Sequence, residues 1–323
     1  MIPEFRKGFL IYRKNDSNLV FAVPHSGPAL GATPDRDDNA ETVASICLEN
    51  MGGKLVIGNV PRKRSWGIDF NRDIPDIGLA LKAYNEFEKR EEKRDNEYIY
   101  NFRIKYAWVA KDETDYYNRL SVYQNFWAEV GEGERIILVH RIFNRIKAVP
   151  SIMDVIIFSE KEIKKKLLDE VVEKINTKYF DFFSKVEKDY RQAIFFEMKR
   201  VVLNLLRIHD GFDLKRFGIG YKKLLDKDIE KIMRYADLVA ANRLKRSFTP
   251  QNFLDAVNNA LQNVPTPRIT IANVHDGNKA LGPKNKLFPY KNRTIIQAES
   301  SNFLNFWHPK IAAKIIQDIV EEF

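Results

Sequence analysis

Three short apolar runs in this sequence end in a side chain that binds metals or moves protons. Leu19-Val20-Phe21-Ala22-Val23 gives way to Pro24-His25, Arg135–Val139 to His140, and Thr294–Ala298 to Glu299. The other histidines, His209, His275 and His308, follow no such run and read as structural. Two imidazoles and one acidic side chain are a donor set that suits zinc, which in catalytic sites keeps a position open for water. The metal lowers the pKa of that water, and a nearby Glu takes its proton as it attacks a carbonyl. The Asp35-Arg36-Asp37-Asp38 cluster offers further carboxylates, although aspartates there serve equally well to cap a following helix. Asn71-Arg72 follows the run Trp66–Phe70. An arginine matches a substrate carboxylate through two parallel hydrogen bonds, or merely pairs with a neighbour such as Asp69 or Asp73. A single histidine after a strand is most often an ordinary loop or core residue; the repetition at equivalent strand ends is what carries weight. Together these groups suit hydrolysis of an amide beside a free carboxylate. No compact His-x-x-His or His-x-x-Glu pair is present.

The elements that must position these groups alternate. Leu19–Val23, Lys54–Gly58 and Arg135–Val139 are unbroken apolar runs rich in β-formers, the pattern of strands buried on both faces. Trp66–Phe70 and Ile99–Val109 are weaker strand candidates. Ala40, Val43, Ala44 and Cys47 share one face of a helix over about 37–50 that Gly52-Gly53 stops. A charged helix is expected from Leu79 to Asp95, and Leu120, Tyr123, Phe126, Trp127 and Val130 mark an amphipathic one. Strand signals fade from Ser159 to Val264, where Ile163, Leu167, Val171, Ile175 and then Ile194, Met198, Val201, Leu205 keep helical spacing, and Thr249-Pro250 resembles a helix start. They return at Ile269–Val274 and Thr294–Ala298, before a closing helix from about Pro309 to Phe323. The expectation is a mainly parallel α/β sheet built from residues 1–158 and 265–323, interrupted by a helical insertion over 159–264. If the three key strands are parallel neighbours, His25, His140 and Glu299 meet beyond their carboxyl ends, where open α/β sheets bind ligands.

The composition fits this picture. In 323 residues, 44% apolar and 12% aromatic content indicates a folded globular chain rather than a disordered one. No apolar stretch approaches the ~18 residues of a membrane span, and the first residues lack the pattern of a signal peptide, so a cytoplasmic protein is expected. The lone Cys47 excludes an internal disulfide and a thiolate metal cluster. Abundant Lys, Glu and Ile hint at a thermophile.

Five short blocks, in order, resemble the N-formylglutamate amidohydrolase family, relatives of zinc carboxypeptidases and aspartoacylases. They are Val23-Pro24-His25-Ser26-Gly27, Pro34-Asp35-Arg36-Asp37, Ile68-Asp69-Phe70-Asn71-Arg72, Leu138-Val139-His140 and Ile296-Gln297-Ala298-Glu299. The resemblance covers about residues 18–159 and 265–323 and leaves the helical middle unmatched. It implies a three-layer α/β/α sandwich with a mixed sheet, and one zinc held by His25, Asp37 and His140. Asp38 is an alternative to Asp37 as the acidic ligand. Glu299 takes the place of the general base, and Arg72 with Asn71 that of the clamp on the substrate carboxylate. The family pattern departs here at three places around the substrate pocket. Tyr116-Tyr117 replaces a Tyr-His pair, Arg141-Ile142 follows His140 in place of Ser-Met, and Arg64-Ser65 reverses a Ser-Arg pair. The implied substrate is a small N-acyl amino acid; a carboxypeptidase-like exopeptidase acting on peptides is the nearest alternative.

A third reading belongs to another class. The net charge of +9 and the clusters Lys164-Lys165-Lys166, Arg243 and Lys245-Arg246 allow a basic nucleic-acid-binding module on the same scaffold. Asp169, Glu170 and Glu173 interrupt the basic helix, and no nucleic-acid motif is present, so a solvated helix face is the favoured explanation. Neither the phosphate-loop nor the Rossmann glycine spacing occurs.

Overall fold

A computed structural model describes residues 2–28, 36–90, 102, 105–142, 151–158, 162–210, 255, 258–259, 262, 265–274 and 293–323. In chain order the elements are strands β1 (Glu4–Arg6), β2 (Phe9–Lys14) and β3 (Leu19–Val23), helix α1 (Ala40–Met51), strand β4 (Gly53–Gly58), and helices α2 (Ile77–Arg90) and α3 (Glu113–Val130). Then come β5 (Arg135–Arg141), β6 (Ser151–Ile157), α4 (Glu162–Lys178), α5 (Phe180–Asp210), β7 (Arg268–Ile271), β8 (Thr294–Ser300), α6 (Asn302–Trp307) and α7 (Pro309–Glu321). The protein is α/β, with one mixed eight-stranded sheet in the order β1-β2-β4-β3-β5-β8-β6-β7.

The centre of that sheet, β4-β3-β5-β8, is parallel throughout. Such strands are buried on both faces, and β3 shows it: all five of its residues are buried. Leu19, Phe21 and Val23 pack into one core with α1, α4, α5, α6 and α7. Val20 and Ala22 point the other way, into a second core with residues of α2 and α3. α1 earns its place through Ala40, Val43, Ala44, Cys47 and Leu48 on one buried face, and Gly52 ends it at φ 72°, a conformation that favours glycine.

The structure departs from the sequence reading at several elements. Trp66–Phe70 forms no strand: its amides bond to Lys63, Pro61 and Ala107 carbonyls in an irregular segment. β4 already has β2 on one side and β3 on the other, so no sheet edge is open to it there. Within the expected strand at 99–109, Phe102 and Lys105 are helical and Tyr106 makes only an isolated bridge to Asp73; the rest of its first half lies outside the described residues. Three strands were not anticipated, the β1–β2 hairpin and β6, which runs antiparallel to β8. β6 hides its signal because Asp154 interrupts an otherwise apolar run. α4 and α5 supply the helical stretch expected after Ser159, whereas Thr249-Pro250, Arg243 and Lys245-Arg246 lie outside the described residues. Lys165 and Lys166 are exposed on α4 beside exposed Asp169 and Glu170, which is a solvated face of mixed charge. No described helix is long and apolar enough to cross a membrane.

Candidate metal centre

The sheet brings β3, β5 and β8 side by side in parallel, so their carboxyl ends share one rim. His25 lies two residues beyond β3, while His140 and Glu299 are the next-to-last residues of β5 and β8 and stand beside each other as register partners. The imidazole rings of His25 and His140 stand 5.1 Å apart. Asp37 joins them from the loop before α1, held there because its N–H donates to the His25 carbonyl at 2.9 Å. Its Oδ2 lies 3.2 Å from His25 Nδ1 and 2.7 Å from His140 Nδ1. All three residues are buried, and they offer ligand atoms within 4.8 Å of one another. They form a group able to hold a metal ion.

Asp37 is the buried acid that stands between the imidazoles, whereas Asp38 is half-buried, with its carboxylate 3.9 Å from Arg141. The alternative role as helix cap is not used: the N-cap of α1 is Asn39, and no side chain caps it. Asp35 lies outside the described residues. Burial opposes the charge on Asp37, but hydrogen bonds from His140 and His25 and their charges outweigh it and hold the carboxyl well below the usual carboxylate range.

The outer partners test whether these residues suit a cation. His25 has a carboxylate oxygen at each nitrogen, Asp37 at Nδ1 and Asp69 Oδ1 at Nε2, 3.0 Å away. A neutral imidazole has one N–H and one lone pair. His25 thus sits between two carboxylates, an arrangement that a positive charge satisfies. That charge is either an imidazolium that donates to both or, with the N–H given to Asp69 and the Nδ1 lone pair free, a cation bound beside Asp37. His140 Nε2 is 3.1 Å from Asn71 Nδ2, and the buried Asn71 Oδ1 has no hydrogen-bond partner among the described residues. A half-turn of that amide gives the oxygen a donor in His140 Nε2–H and turns the second Nδ1 lone pair toward the cluster. Ligating histidines are commonly oriented through their other nitrogen in this way. The donor set fits a metal.

No family model, curated protein or solved structure matches this chain in comparisons with all three. The case for the site therefore rests on its own geometry and on the chemistry of its neighbours.

Asp69, fully buried, is the hub of those neighbours. Its Oδ2 takes Arg62 Nε and Arg64 Nη2, each at 3.0 Å, and lies 3.6 Å from Arg72 Nε. Burial works against ionisation of Asp69, yet Arg62, His25 and Arg64 overcome it and keep the carboxyl well below its ordinary range. Burial lowers the Arg72 guanidinium from its usual value, partly offset by Asp69. Arg72 thus makes the local pair with Asp69 that its sequence position allowed. Arg64 also donates from Nε to the Tyr106 carbonyl at 2.7 Å. Arg141, the last residue of β5, donates to the Arg36 carbonyl at 3.3 Å. Tyr116 stands apart from the cluster: its hydroxyl donates to the Pro75 carbonyl at 2.8 Å, and its ring packs near Trp108 and Tyr117. Glu299 is buried and accepts a hydrogen bond from the Gln297 amide. Across β8 from His140, Asp154 of β6 is its other register partner. Burial is the main influence pushing the Asp154 carboxyl up, with the charge of Glu299 adding to it against hydrogen bonds from Thr270, Val274 and Asn273.

Asp69, Arg62 and Asp154 were not singled out as site residues from sequence. The available signal for Asp69 was a lone acid between two apolar residues, Ile68 and Phe70, at a place the sequence reading treated as a strand. His308 caps α7 and packs on Phe182 and Phe303, in keeping with a structural role. His275 and the side chain of His209 lie outside the described residues.

Proposed function

We propose that the chain is a zinc-dependent amidohydrolase that cleaves the amide of a small N-acyl amino acid of the N-formylglutamate kind. We further propose that its fold is a three-layer α/β/α sandwich of the zinc-exopeptidase type, with 1–158 and 265–323 as the catalytic domain, and that it acts in the cytoplasm. The observation that carries the reading is Asp37 Oδ2 shared between the Nδ1 atoms of His25 and His140, beside the strand end that bears Glu299.

His25, Asp37 and His140 would hold the zinc, which when bound would supply Lewis-acid activation of a water and of the scissile carbonyl. The chain's own residues do the rest. Glu299 accepts the proton of the attacking water at its carboxylate and returns it to the departing amine. Gln297, donating to Glu299 Oε1, holds that carboxylate in one orientation. Asp69 and Asn71 fix the rings of His25 and His140 from behind. Arg72, with Asn71, is assigned to the carboxylate of the substrate, where a planar guanidinium matches two oxygens at once. Arg64 and Arg141, where the family pattern departs, are assigned to the differences in the substrate; Tyr116, whose hydroxyl is committed to the Pro75 carbonyl, is not.

Elemental analysis of the purified protein tests the first step. About one zinc per chain is expected to copurify, and His25→Ala or His140→Ala to reduce it to traces. Variants that hold metal as well as the parent sink the proposal. Formylated and acylated amino acids, assayed beside short peptides, then decide the substrate: turnover confined to peptides replaces the amidohydrolase with a carboxypeptidase-like exopeptidase.

A further inference from the structure

The segment that carries Asp69, Asn71 and Arg72 joins no strand of the sheet; its backbone meets 105–109 at one isolated bridge, Asp73 to Tyr106, and through the Asp69–Ala107 and Val109–Arg64 bonds. Residues 61–76 follow β4 as turns and bends, yet Ile68, Asp69, Phe70 and Asn71 are buried. A buried backbone oxygen left without a donor is costly, and one helix supplies side-chain donors to several carbonyls of residues 64–75. Arg119 of α3 donates from Nη1 to the carbonyls of Gly67 at 2.8 Å and Arg64 at 3.1 Å, and from Nη2 to that of Ser65 at 3.2 Å. Tyr123 Oη donates to the Arg72 carbonyl at 2.8 Å, and Trp127 Nε1 to the Phe70 carbonyl at 3.1 Å. Tyr116 takes the next carbonyl along, that of Pro75. Residues 116, 119, 123 and 127 are three and four apart, so they form one stripe of the helix.

The stripe is itself held in place. Asp115, one turn before Arg119, accepts from Arg119 Nε at 2.9 Å and so aims the guanidinium plane. Asp115 N–H in turn donates to the Asp112 side chain that caps α3. Tyr123 and Trp127 are buried and packed against the Phe70 and Phe126 rings, which removes rotamer freedom from both donors. The bonded carbonyls bracket Asp69 and Asn71, the two residues that orient the outer nitrogens of His25 and His140.

We infer that this stripe of α3 sets the metal affinity of the centre. Arg119, Tyr123 and Trp127 act as positioning residues, holding segment 64–72 in the shape that places Asp69 on His25 and Asn71 on His140. The inference rests on the metallohydrolase reading above. Outer partners of metal-bound histidines govern affinity by about 10- to 100-fold, and a segment that shifts carries both of them away together.

The test is zinc affinity, measured on the full chain by competition with a chromogenic chelator, alongside hydrogen exchange of peptides spanning 64–72. Arg119→Lys keeps the charge but loses the planar fork. It is expected to weaken zinc binding about tenfold and to accelerate exchange across 64–72. Tyr123→Phe removes a single hydroxyl, is expected to weaken zinc by about threefold, and decides the matter if Arg119→Lys does not fold. Asp318→Asn, in α7 on the other face of the sheet, is the control for lost stability and should leave zinc affinity unchanged. Zinc affinity equal to the parent's in both α3 variants overturns the inference and leaves the metallohydrolase reading intact. So does weaker zinc without faster exchange in 64–72, or equal weakening in Asp318→Asn. A parent protein that takes up no zinc overturns the metallohydrolase reading, and the inference falls with it.

Discussion

His25 and His140 are held by the same oxygen of Asp37, and each has its second nitrogen addressed by a residue of one short segment, Asp69 or Asn71. That double contact is the residue-scale argument for positive charge at this point, which a metal ion supplies when both Nδ1 atoms are free of protons. Asn71 gives the sharpest test. Its Oδ1 has no hydrogen-bond partner among the described residues, and a half-turn of the amide lets it accept from His140 Nε2–H. Asn71→Ala is expected to weaken zinc by about 10- to 100-fold with little change in fold, read by chelator competition and circular dichroism. Unchanged affinity would remove Asn71 from the ligand-orienting set. At this scale much was legible in the sequence: His25, His140 and Glu299 stand out because each interrupts or ends an apolar run. Asp69 was less legible, because its importance comes from three arginines and a histidine that reach it from elsewhere in the chain or around a turn.

Among the elements, the contrast is between the parallel strands and the irregular segment after β4. β3, β5 and β8 are readable because burial on both faces demands continuous apolar residues. Segment 61–76 is misread as containing a strand because Ile68 and Phe70 alternate with polar residues, the period of a half-buried strand. Its support is backbone bonding to 105–109, the α3 stripe and a close approach at Gly67, where a Cβ would stand 1.7 Å from the Pro61 carbonyl oxygen. Backbone on that side cannot yield as a flexible side chain would. Gly67→Ala is expected to cost about 3 kcal/mol in denaturant unfolding and to loosen the segment that bears Asp69. A loss within experimental error would show that the loop re-forms around the added methyl group.

For the whole molecule, the question is what ties the elements on the α1 face together around the sheet. Asp318 of α7 binds Lys178 at the end of α4 at 2.6 Å, the Tyr179 hydroxyl at 2.9 Å and Lys314 at 3.1 Å. Burial disfavours its charge, but Lys178, Tyr179 and Lys314 prevail and hold the carboxyl below its ordinary range. A depressed carboxyl contributes stability above its unfolded value, about pH 4, and loses it as pH falls through the lower folded value. Asp318→Asn is therefore expected to lower stability by about 1–2 kcal/mol at neutral pH, with the gap to the parent closing below about pH 4. Equal gaps at pH 3 and pH 7 in urea unfolding would rule this linkage out. In the second place, the mixed sheet was only partly foreseeable. Its parallel centre follows from composition, while β6 and the β1–β2 hairpin enter as antiparallel additions whose short or interrupted patterns resemble loops.

Composition and periodicity alone determined that this chain is an α/β protein and that three apolar strands lead to His25, His140 and Glu299. Those features are local, because burial on two faces and helical spacing are written into neighbouring residues. Which acid stands between the imidazoles, that Asp69 and Asn71 orient them, and that α3 holds the segment carrying both were decided only in three dimensions. The reason is sequence distance. Asp37 meets His140 across 103 residues, and Arg119 reaches Gly67 across 52. Contacts of that span depend on the order in which strands assemble, β4-β3-β5-β8, which the residues of each strand do not by themselves encode.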